Sequence, residues 1–464
     1  MDREEKRNSV FNALLKELGS EKVFRAKDIL EKYSTDETSN LTFSPDMIVK
    51  AITVSDVSTT MIICNNHRFP VTPRGAGTGV TGGALPVNGG VVLSLENMNR
   101  ILEIDTENMI AVVEPGVITG DLQKAALKEG LMYPPDPASL ETCSIGGNVA
   151  EGAGGPKAVK YGTTKDYVLG LEYVLPDGSV MTTGGKYVKN ATGYNLTGTL
   201  IGSEGTLAVI TKIYLKLIPA PDCIVDLLIP FDSVNHAIDT VITIIKNRVI
   251  PSTIELMEEN AITIVSRYLG EEMLFPEASA HLLIQIDGYS ENEVKTVLEK
   301  LIEVIDIPRK RIVIAEDDKQ RERIWKARRS IRDSIQDLNP VFLAEDSVVP
   351  RSEISSFLIE LKEKLGALNI TSLMFGHAGD GNIHINILKG TMDTEQWNRL
   401  VPQIKEIVYR TAIAHNGTIT GEHGIGYIRR AYVSMALSHE EIELLKRIKN
   451  AFDPNGILNP NKVF

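Results

Sequence analysis

The chain has 464 residues, 43% of them hydrophobic, which is the composition of a globular protein with room for two or three domains. Its 49 lysines and arginines against 61 aspartates and glutamates give a formal net charge of −12, which argues against a nucleic-acid or anionic-membrane partner because phosphate contacts need clustered basic residues. The three cysteines, Cys64, Cys143 and Cys223, share no CxxC spacing, which excludes a disulfide framework, a four-cysteine zinc site and an internal iron–sulfur cluster.

We expect no secretory signal at the N-terminus. Its first residues, MDREEKRNSV, are charged from the start, whereas a secretory signal needs a continuous apolar segment. No run of 18 apolar residues occurs in the sequence, so no membrane-spanning helix is expected. We therefore expect a cytoplasmic protein that is attached to a membrane, if at all, through another subunit.

The first part of the chain alternates between predicted helices and strands. Apolar residues at positions 10, 14, 15 and 18 keep helical spacing and precede Gly19, which predicts an amphipathic helix in an N-terminal arm, residues 1–38. A helix is then expected over VSDVSTTMIICNNH, and strands are expected in FPVTPRG and GVVLSL on either side of a glycine-rich loop. Residues 101–113 predict a hairpin with a polar tip, and DLQKAALKEG predicts a helix after it.

The region from residue 134 to residue 220 is dense in glycine and turn residues. Segments such as CSIGGNVAEGAGGP and GSEGTLAVIT are typical of loops that place backbone N–H groups against a ligand, because glycine permits close approach and positive φ. Tight turns in a small α+β domain are the alternative for any single loop. We assign residues 39–220 to one ligand-binding domain.

After Pro221 the sequence changes to alternating strands and helices with few glycines. The segments IVDLLIPF, HLLIQIDGY and RIVIAED predict strands, and DSVNHAIDTVITIIKN and ENEVKTVLEKLIEVI predict helices. This βαβ-type alternation predicts a second α+β domain over residues 221–410. The C-terminal segment, residues 411–464, carries TGEHGIG and ends in a predicted helix over EEIELLKRIKNAF.

One glycine loop matches a dinucleotide pattern without its structural context. Residues 77–82, GTGVTG, fit G-x-G-x-x-G, but that pattern has its meaning only where a helix begins. Here ALPVNGGVVLSL follows, which predicts a turn and a strand, so a Rossmann NAD site is disfavoured. The wider string PRGAGTGVTGG still suits a phosphate, because its glycines expose closely spaced N–H donors, Thr78 adds a hydroxyl and Arg74 adds a positive charge.

Histidines concentrate in the last fifth of the chain. The string FGHAGDGNIHIN predicts a strand, a tight turn and a second strand, so that His377 and His384 can converge on one ion. Glu422 in TGEHGIG would complete an N/N/O set with open positions, which is typical of a catalytic divalent metal. Zinc, manganese and iron(II) all suit these ligands. Histidines that cap turns or satisfy core hydrogen bonds are the alternative.

Three long motifs carry a resemblance to a known family. The segments PVTPRGAGTGVTGG, then DPAS followed by CSIGGNVAEGAGGP, then KNATGYNLTGTLIGSEGTLAVIT resemble the FAD-binding domain of the vanillyl-alcohol-oxidase superfamily. The chain looks most like the FAD-dependent D-lactate dehydrogenases and the flavin subunit of glycolate oxidase, over nearly its whole length. The resemblance implies an α+β fold with a two-part FAD-binding domain at 39–220, an α+β, ferredoxin-like cap at 221–410, and a C-terminal helical segment that completes the active site and packs on the FAD domain.

The resemblance also implies where FAD binds. The pyrophosphate would lie on the Arg74–Gly79 loop, and the isoalloxazine would lie near Pro137–Ser139 and the Gly146–Asn148 turn, between that domain and the cap. The residues assigned to FAD in this way are Pro73, Arg74, Gly75, Ala76, Gly77, Thr78, Gly79, Pro137, Ser139, Gly146, Gly147, Asn148, Ala150, Gly154, Tyr161, Gly162, Glu204, Gly205 and Ile210.

The implied flavin is non-covalent. Some superfamily members attach FAD through a histidine in the first glycine loop, and no histidine occurs between Arg74 and Gly83. Cys143 is interpreted as a small buried hydrophobe rather than as an attachment point.

The cap motifs HxGDGNxH and GEHG carry catalytic residues in the 2-hydroxyacid dehydrogenases that the chain resembles. The resemblance implies that His377, His384 and Glu422 bind the metal and that His423 is the catalytic base. Asn386 lies two residues beyond His384 and thus on the same strand face, where it would contact the substrate.

Arg328, in RIWKARRSI, stands where the family's W-x-x-R motif supplies an arginine for the substrate carboxylate, and a guanidinium fork suits a carboxylate. The neighbouring Arg323, Arg329 and Arg332 leave a solvated basic helix face as the alternative. In relatives that prefer larger dicarboxylates a lysine precedes the Asp-x-x-x-Pro stretch, whereas here LAE precedes Asp346–Pro350. This departure favours a small monocarboxylate.

The sequence therefore predicts FAD-dependent, metal-assisted oxidation of a small D-2-hydroxy acid, with D-lactate first and glycolate next. The alternatives are a dehydrogenase of another 2-hydroxy acid such as D-2-hydroxyglutarate, an alkyl-glycerone-phosphate synthase, and a non-catalytic electron-transfer subunit; the complete cap motifs argue against the last two. Because the chain has no iron–sulfur relay, its electrons would pass to a partner, either an iron–sulfur subunit or an electron-transferring flavoprotein. A homodimer is a family-level expectation.

Overall fold

The computed structural model describes residues 2–271, 273–315 and 317–464. The chain divides into two compact units. Unit 1 comprises Met1–Ala153, Thr163–Pro219 and His423–Phe464, and unit 2 comprises Gly154–Gly162 and Ala220–Glu422. Within the described residues, no helix is both long enough and apolar enough to cross a membrane.

Helices and strands alternate along most of the chain. The helices of the described residues are α1 (Arg3–Leu18), α2 (Lys27–Lys32), α3 (Val54–Asn66), α4 (Thr119–Lys128), α5 (Ile145–Glu151), α6 (Ala158–Tyr161), α7 (Leu196–Leu200), α8 (Val234–Lys246), α9 (Glu259–Leu269), α10 (Glu291–Val304), α11 (Asp318–Arg329), α12 (Ile331–Leu338), α13 (Ile354–Gly366), α14 (Thr394–Ala414), α15 (Val433–Ala436) and α16 (His439–Phe452). The strands are β1 (Val23–Phe24), β2 (Met47–Lys50), β3 (Val71–Arg74), β4 (Val91–Ser94), β5 (Ile101–Asp105), β6 (Ile110–Val113), β7 (Leu131–Met132), β8 (Val168–Val174), β9 (Val180–Gly184), β10 (Val209–Lys216), β11 (Ile218–Pro219), β12 (Cys223–Phe231), β13 (Thr253–Glu258), β14 (Ala280–Gly288), β15 (Val313–Ile314), β16 (Phe342–Val348), β17 (Ser372–His377) and β18 (Asn382–Leu388).

Unit 1 contains two main sheets. The first has the strand order β1-β2-β4-β3, in which β2, β4 and β3 run parallel and β1 runs antiparallel to β2. The second has the order β5-β6-β10-β8-β9 and pairs antiparallel throughout. The first sheet presents β3, and with it the glycine loop that follows Arg74, at its edge.

The predicted N-terminal helix and the predicted hairpin are confirmed. Helix α1 begins with a capping box formed by Asp2 and ends before Gly19, whose φ is 87°. Its buried residues Val10 and Leu14 share one apolar core with β2 and β4, so this segment packs as part of unit 1 rather than as a separate arm. Strands β5 and β6 form the expected hairpin.

Unit 2 is built on one seven-stranded antiparallel sheet with the order β15-β12-β14-β13-β17-β18-β16. The first four strands in chain order, β12 to β15, lie in the spatial order 4-1-3-2, which is the ferredoxin-like arrangement. Strands β12 and β13 both pair antiparallel with β14, so they run parallel to each other and α8 connects them across it. The predicted βαβ alternation therefore takes the split form, and the ferredoxin-like prediction holds with three further strands added at one side.

The predicted strand–turn–strand over FGHAGDGNIHIN is confirmed. Strands β17 and β18 pair antiparallel, with Phe375 opposite His384 and His377 opposite Asn382. Gly381 in the turn has φ 95°, and a Cβ there would lie 2.0 Å from the carbonyl oxygen of Val349, so this position accepts only glycine. The turn thus sets the register that places His377 and His384 on the same face of the sheet.

Besides the N-terminal segment, which belongs to unit 1, the compact units differ from the sequence-based division in two further places. Residues 154–162 pack with unit 2, because the side chains of Lys160 and Tyr161 bond to the carboxylate of Asp287 on β14. The C-terminal segment, expected as one piece over 411–464, divides between Glu422 and His423.

Candidate functional site

The glycine loop of unit 1 begins where β3 ends, at Arg74. This arginine is 8% exposed, its guanidinium lies 5.6 Å from the centre of the Tyr33 ring, and its Nη1 atom is buried without a hydrogen-bond partner among the described residues. Gly77 has φ 77°, and a Cβ there would lie 2.2 Å from the Arg74 guanidinium, so the loop curls tightly over the arginine.

The loop suits an anionic ligand. None of the backbone N–H groups of residues 75–81 donates to another described residue, whereas the next one, that of Gly82, donates to Thr38 Oγ1 at 2.6 Å. A Cβ on Gly79 would meet no atom within 4 Å, so space is open beside the loop. A buried cation with an unused donor beside a series of unused amides fits the pyrophosphate of FAD.

The second stretch assigned to FAD turns into helix α5. The Gly146 N–H donates to the carbonyl of Pro115 at 2.8 Å, and a Cβ on Gly146 would lie 2.5 Å from the Pro115 Cβ, so the turn requires glycine. Ser144 caps the helix. The side chain of Asn148 donates to Thr119 Oγ1 at 2.7 Å, so its amide is engaged inside the unit.

Four more residues of the FAD assignment also lie in unit 1. Pro137 and Ser139 form a turn in which the Pro137 carbonyl accepts the Leu140 N–H at 2.9 Å. Gly205 has φ 64°, and a Cβ there would lie 3.5 Å from the Pro73 ring. Ile210 lies on β10 and is 6% exposed. The assignment of these four residues to FAD stays a prediction.

Three residues assigned to FAD lie in unit 2 instead, namely Gly154, Tyr161 and Gly162. The Tyr161 hydroxyl donates to Asp287 at 2.8 Å. A Cβ on Gly154 would lie 2.8 Å from Oε2 of Glu422, so the backbone of Gly154 lies against that carboxylate. Gly154 thus makes room for a predicted metal ligand.

The carboxylate of Glu204, also assigned to FAD, is occupied by the protein itself. Its Oε1 accepts the Ile425 N–H at 2.8 Å and its Oε2 accepts the Gly426 N–H at 2.6 Å. Its own N–H donates to the carbonyl of Ala150 at 2.8 Å. The Glu204 carboxylate therefore bonds the segment that follows His423, and the assignment of this residue to FAD stays a prediction.

The three predicted metal ligands come together in unit 2. One ligand atom from each of His377, His384 and Glu422 lies within 4.8 Å of the others. The Nε2 atoms of His377 and His384 lie 3.4 Å and 3.5 Å from the same oxygen, Oε1 of Glu422, and the two imidazole centres are 5.1 Å apart. Two imidazole nitrogens and one carboxylate oxygen directed at one point fit a divalent cation.

His377 is oriented by Glu255, which lies directly opposite it on β13. Oε1 of Glu255 lies 2.5 Å from Nδ1 of His377, and Glu255 is 0% exposed. Burial alone raises the pKa of Glu255, but the charges of His377 and Arg328 outweigh it and lower that pKa to about 2. Burial alone likewise lowers the pKa of His377, whereas Glu255 and Glu422 raise it well above the ordinary value. The ionised Glu255 accepts the Nδ1 proton, which directs Nε2 to Glu422.

Arg328 bonds to Glu255, not to the solvent as a basic helix face would. Its Nε and Nη2 atoms lie 2.7 Å and 2.6 Å from Oε2 of Glu255, and its guanidinium lies 4.7 Å from the centre of the Phe375 ring. The alternative of a solvated face is wrong for Arg328 itself. One edge of its guanidinium is used by Glu255, which leaves Nη1 as the part that can meet a substrate carboxylate.

Asp346 holds the backbone next to Glu422. This carboxylate is 0% exposed and accepts the Gly421 N–H at 2.7 Å, the Glu422 N–H at 2.9 Å and the Thr420 hydroxyl at 3.0 Å. Charged acceptors make such bonds stronger than neutral ones. The main chain of a predicted metal ligand is thereby fixed from β16.

The two remaining predicted residues differ in their placement. Asn386 lies on β18, two residues beyond His384, and is 5% exposed. His423 follows Glu422 directly in the chain, opens the last segment of unit 1, and buries its Nδ1 atom.

Sequence reasoning missed Glu255 and Asp346, and it did not predict the hydrogen bonds between the Glu204 carboxylate and the Ile425 and Gly426 amides. Glu255 lies in the fully buried strand TIELME, where a buried carboxylate needs a partner. The glutamate in a predicted buried strand could have been noticed in the sequence, but its partners, His377 and Arg328, could not have been identified there. Asp346 entered the sequence analysis only through the residues before it, which bear on substrate size, and not as a residue that binds the backbone of Glu422.

Comparisons with known proteins identify both domains of the chain. The family model described as FAD binding domain matches residues 45–184, and the model described as FAD linked oxidases, C-terminal domain, matches residues 221–463. The chain is 40% identical over 434 residues to the glycolate oxidase subunit GlcD of Bacillus subtilis (strain 168), which covers 93% of this chain and 92% of that protein. It is 36% identical over 457 residues to a D-lactate dehydrogenase of Anaerostipes hadrus, and this match covers 97% of this chain and 96% of that protein.

A solved structure shows the fold. The crystal structure of p-cresol methylhydroxylase with substrate bound matches with a TM-score of 0.82 over 99% of this chain and 97% of that chain, at 19% identity. The predicted α+β fold with a vanillyl-alcohol-oxidase-type FAD-binding domain is confirmed. The chain belongs to the family of FAD-linked oxidases.

Proposed function

We propose that the chain is an FAD-dependent, metal-assisted dehydrogenase that oxidises a small D-2-hydroxy acid, D-lactate before glycolate, to the 2-oxo acid. Its relatives include a D-lactate dehydrogenase and a glycolate oxidase subunit, which supports FAD-dependent oxidation of a 2-hydroxy acid. The observation that carries the proposal is the cluster of His377, His384 and Glu422, whose ligand atoms lie within 4.8 Å of one another.

The cluster would hold a divalent cation such as zinc, manganese or iron(II). Bound there, the cation would supply Lewis acidity to the hydroxyl and carboxylate oxygens of the substrate. The protein contributes the geometry: Glu255 fixes the ring of His377, and Asp346 fixes the backbone of Glu422. Three protein ligands leave further coordination positions for two substrate oxygens.

Arg74 and the amides of residues 75–81 would hold the phosphates of FAD, and the bound flavin supplies the acceptor for the hydride. We propose that an imidazole nitrogen of His423 accepts the proton of the substrate hydroxyl. His423 is the next residue after Glu422, so the covalent chain itself keeps the base beside a metal ligand.

The substrate carboxylate calls for a cation as its partner. We assign this role to the Nη1 edge of Arg328, because its Nε and Nη2 atoms are bonded to Glu255. Asn386 remains our choice for a neutral hydrogen-bonding partner of the substrate. The absence of a lysine before Asp346 supports a monocarboxylate over a dicarboxylate.

Electrons must leave the reduced enzyme. The three cysteines of the chain do not form an iron–sulfur ligand set, so we propose a separate acceptor protein, either an iron–sulfur subunit or an electron-transferring flavoprotein. Copurification with a second redox protein would support this part of the proposal.

The anaerobic visible spectrum of the purified holoprotein tests the function. D-lactate, L-lactate, glycolate and D-2-hydroxyglutarate are added separately, before and after removal of metal by a chelator. We expect D-lactate to bleach the flavin band most rapidly, glycolate more slowly and L-lactate not at all, and we expect the bleaching to be lost without metal. A flavin that no 2-hydroxy acid bleaches would overturn the proposal, and bleaching that survives metal removal would overturn the role of the cluster.

A further inference from the structure

We propose that Glu204 is a positioning residue for His423, and this inference rests on the proposed function, in which His423 is the catalytic base. The observation behind it is that both oxygens of a buried carboxylate accept backbone N–H groups of the segment that begins immediately after His423. This segment, residues 424–428, belongs to unit 1 together with Glu204.

The two hydrogen bonds are short and directed at adjacent residues. Oε1 lies 2.8 Å from the Ile425 nitrogen and Oε2 lies 2.6 Å from the Gly426 nitrogen, while Glu204 is 6% exposed. Burial raises the pKa of Glu204, while the hydrogen bonds from the Ile425 and Gly426 amides lower it, and burial also removes competition from water for these two bonds. One side chain therefore fixes two consecutive peptide groups just beyond the base.

The backbone of this segment has two residues with positive φ, so it needs hydrogen bonds that hold it in one conformation. Gly424 and Gly426 have φ of 78° and 52°, both in the left-handed region. A Cβ on Gly424 would lie 2.5 Å from Oε2 of Glu151 and 3.0 Å from Oε1 of Glu204, so the peptide packs closely against both carboxylates. A sharply turned segment with two glycines would otherwise sample many conformations, and His423 would move with it.

Glu204 is itself held firmly. Its φ of 51° is a strained conformation for a residue other than glycine, which persists where the surroundings impose it. Its N–H donates to the carbonyl of Ala150, and its carbonyl accepts from Asn459 Nδ2, both at 2.8 Å. The strain places the carboxylate at the segment after His423, which a role in binding the anionic FAD does not require.

Other residues of unit 1 hold the same segment at different points. The buried Arg429 donates from Nη1 to the carbonyl of Gly424 at 2.9 Å, and the carbonyl of Thr81 accepts the Tyr427 N–H at 2.8 Å. The segment should therefore remain folded when Glu204 is altered, while its first residues gain freedom. Misplacement of a catalytic group by about 1 Å costs on the order of 100-fold in rate.

The test is the isosteric variant Glu204→Gln in the holoenzyme. Glutamine retains one acceptor oxygen and directs an NH₂ group at the other backbone N–H. We expect the limiting rate of anaerobic flavin reduction by D-lactate to fall about 10- to 100-fold, with the FAD content, the metal content and the half-saturating D-lactate concentration near those of the wild type. Hydrogen exchange, followed by mass spectrometry on peptides that cover residues 423–428, should become faster.

Glu172→Gln is the matched control. The Glu172 carboxylate also lies in unit 1, where it accepts from Thr211 at 3.0 Å and Lys212 at 2.9 Å. This variant should change neither the reduction rate nor exchange at residues 423–428. If Glu204→Gln does not fold, Glu204→Asp keeps the carboxyl group on a shorter side chain and should show the same two effects.

Two results are decisive. A wild-type reduction rate in a folded Glu204 variant would overturn the inference, and so would a slow rate with unchanged exchange at residues 423–428. His423→Asn is measured in parallel, because it tests the proposed function itself. If His423→Asn still reduces flavin at the wild-type rate, the base assignment fails; if His423→Asn is inactive and Glu204→Gln is fully active, only the positioning role fails.

Discussion

Glu255 and His377 face each other on the neighbouring antiparallel strands β13 and β17, with Oε1 of the carboxylate 2.5 Å from Nδ1 of the imidazole. Directly opposed residues of two strands are the closest cross-strand neighbours in a sheet. The pair thus fixes both the tautomer and the ring plane of His377 without any contribution from a loop. The Glu255 carboxylate also accepts a hydrogen bond from Arg328, so Arg328, Glu255 and His377 are connected by hydrogen bonds.

Replacing Glu255 should weaken metal binding while leaving the three ligands in place. In Glu255→Gln the ionised acceptor for Nδ1 is lost, and the ring of His377 is free to take the other tautomer. Partners that orient a metal ligand typically contribute about 10- to 100-fold in metal affinity. We expect a loss of this size in a titration with Zn²⁺ or Mn²⁺.

Glu258→Gln is the control for that variant. Glu258 lies on the same strand, three residues further along and on the opposite face, where it bonds Lys362 Nζ at 2.5 Å and the Met374 N–H at 3.0 Å. It should lower stability without changing metal affinity. Equal metal affinities in the two variants would contradict the role given to Glu255.

Replacing a ligand itself should cost more than replacing its support. His384→Asn removes one of the two nitrogens that face Oε1 of Glu422, so we expect a larger loss of bound metal than in Glu255→Gln, together with loss of substrate-dependent flavin bleaching. Metal content after dialysis and the anaerobic spectrum measure the two effects.

His415→Asn serves as the comparison. The two nitrogens of His415 contact different carboxylates, Glu353 at 3.0 Å and Glu360 at 2.8 Å, so they do not converge on one point. This variant should retain its metal. Full metal content in His384→Asn would show that the cluster is not a metal site.

The elements of this site could be predicted where the signal is local. The turn over Asp380-Gly381 and the alternation on both sides of it determine a hairpin, and a hairpin brings His377 and His384 together. The pairing of Glu255 with His377 joins residues 122 positions apart, and one sequence contains no information on the register of β13 against β17. Local periodicity therefore predicted that His377 and His384 lie together, but it did not predict the residue that orients His377.

Motif resemblance predicted the glycine loop for a similar reason, but it gave no indication of the contacts that the Glu204 side chain makes. The loop after Arg74 carries its chemistry in consecutive residues, so its glycines alone indicate an anion site. Glu204 stands inside a motif of the FAD domain, but its carboxylate bonds Ile425 and Gly426, more than 200 residues away. Position within a motif says nothing of the direction in which a side chain points.

Arg74 should decide the affinity for FAD. Its Nη1 atom is buried and unused among the described residues, so Arg74→Met removes a charged donor that is available to the cofactor phosphates. Hydrogen bonds to charged groups contribute about 1.5–3 kcal/mol, which corresponds to a loss of roughly 10- to 150-fold in FAD affinity. Fluorescence titration of the deflavinated protein with FAD measures this loss. Lys212→Met in the same unit, which removes the partner of Glu172, should bind FAD as tightly as the wild type.

His281 should make unit 2 sensitive to acid. The side chain is 0% exposed, and its Nε2 lies 3.1 Å from the carbonyl oxygen of Phe275. Burial lowers the pKa of His281 to about 4. The unfolded chain, in which the pKa of histidine is about 6.5, therefore binds the proton first as the pH falls. The stability contributed by the neutral histidine is complete above pH 6.5 and is lost as the pH decreases toward 4, by about 2 kcal/mol at pH 5.

The comparison of wild type with His281→Gln isolates this contribution from the titration of the carboxylates. Glutamine does not titrate, so its free energy of unfolding should fall less between pH 7 and pH 5 than that of the wild type. Unfolding in urea is monitored by hydrogen exchange in peptides from β14, so that the measurement reports on unit 2 itself. This choice matters because a chain with two compact units need not unfold in one step. Parallel pH profiles for the two proteins would show that His281 is not kept neutral by the fold.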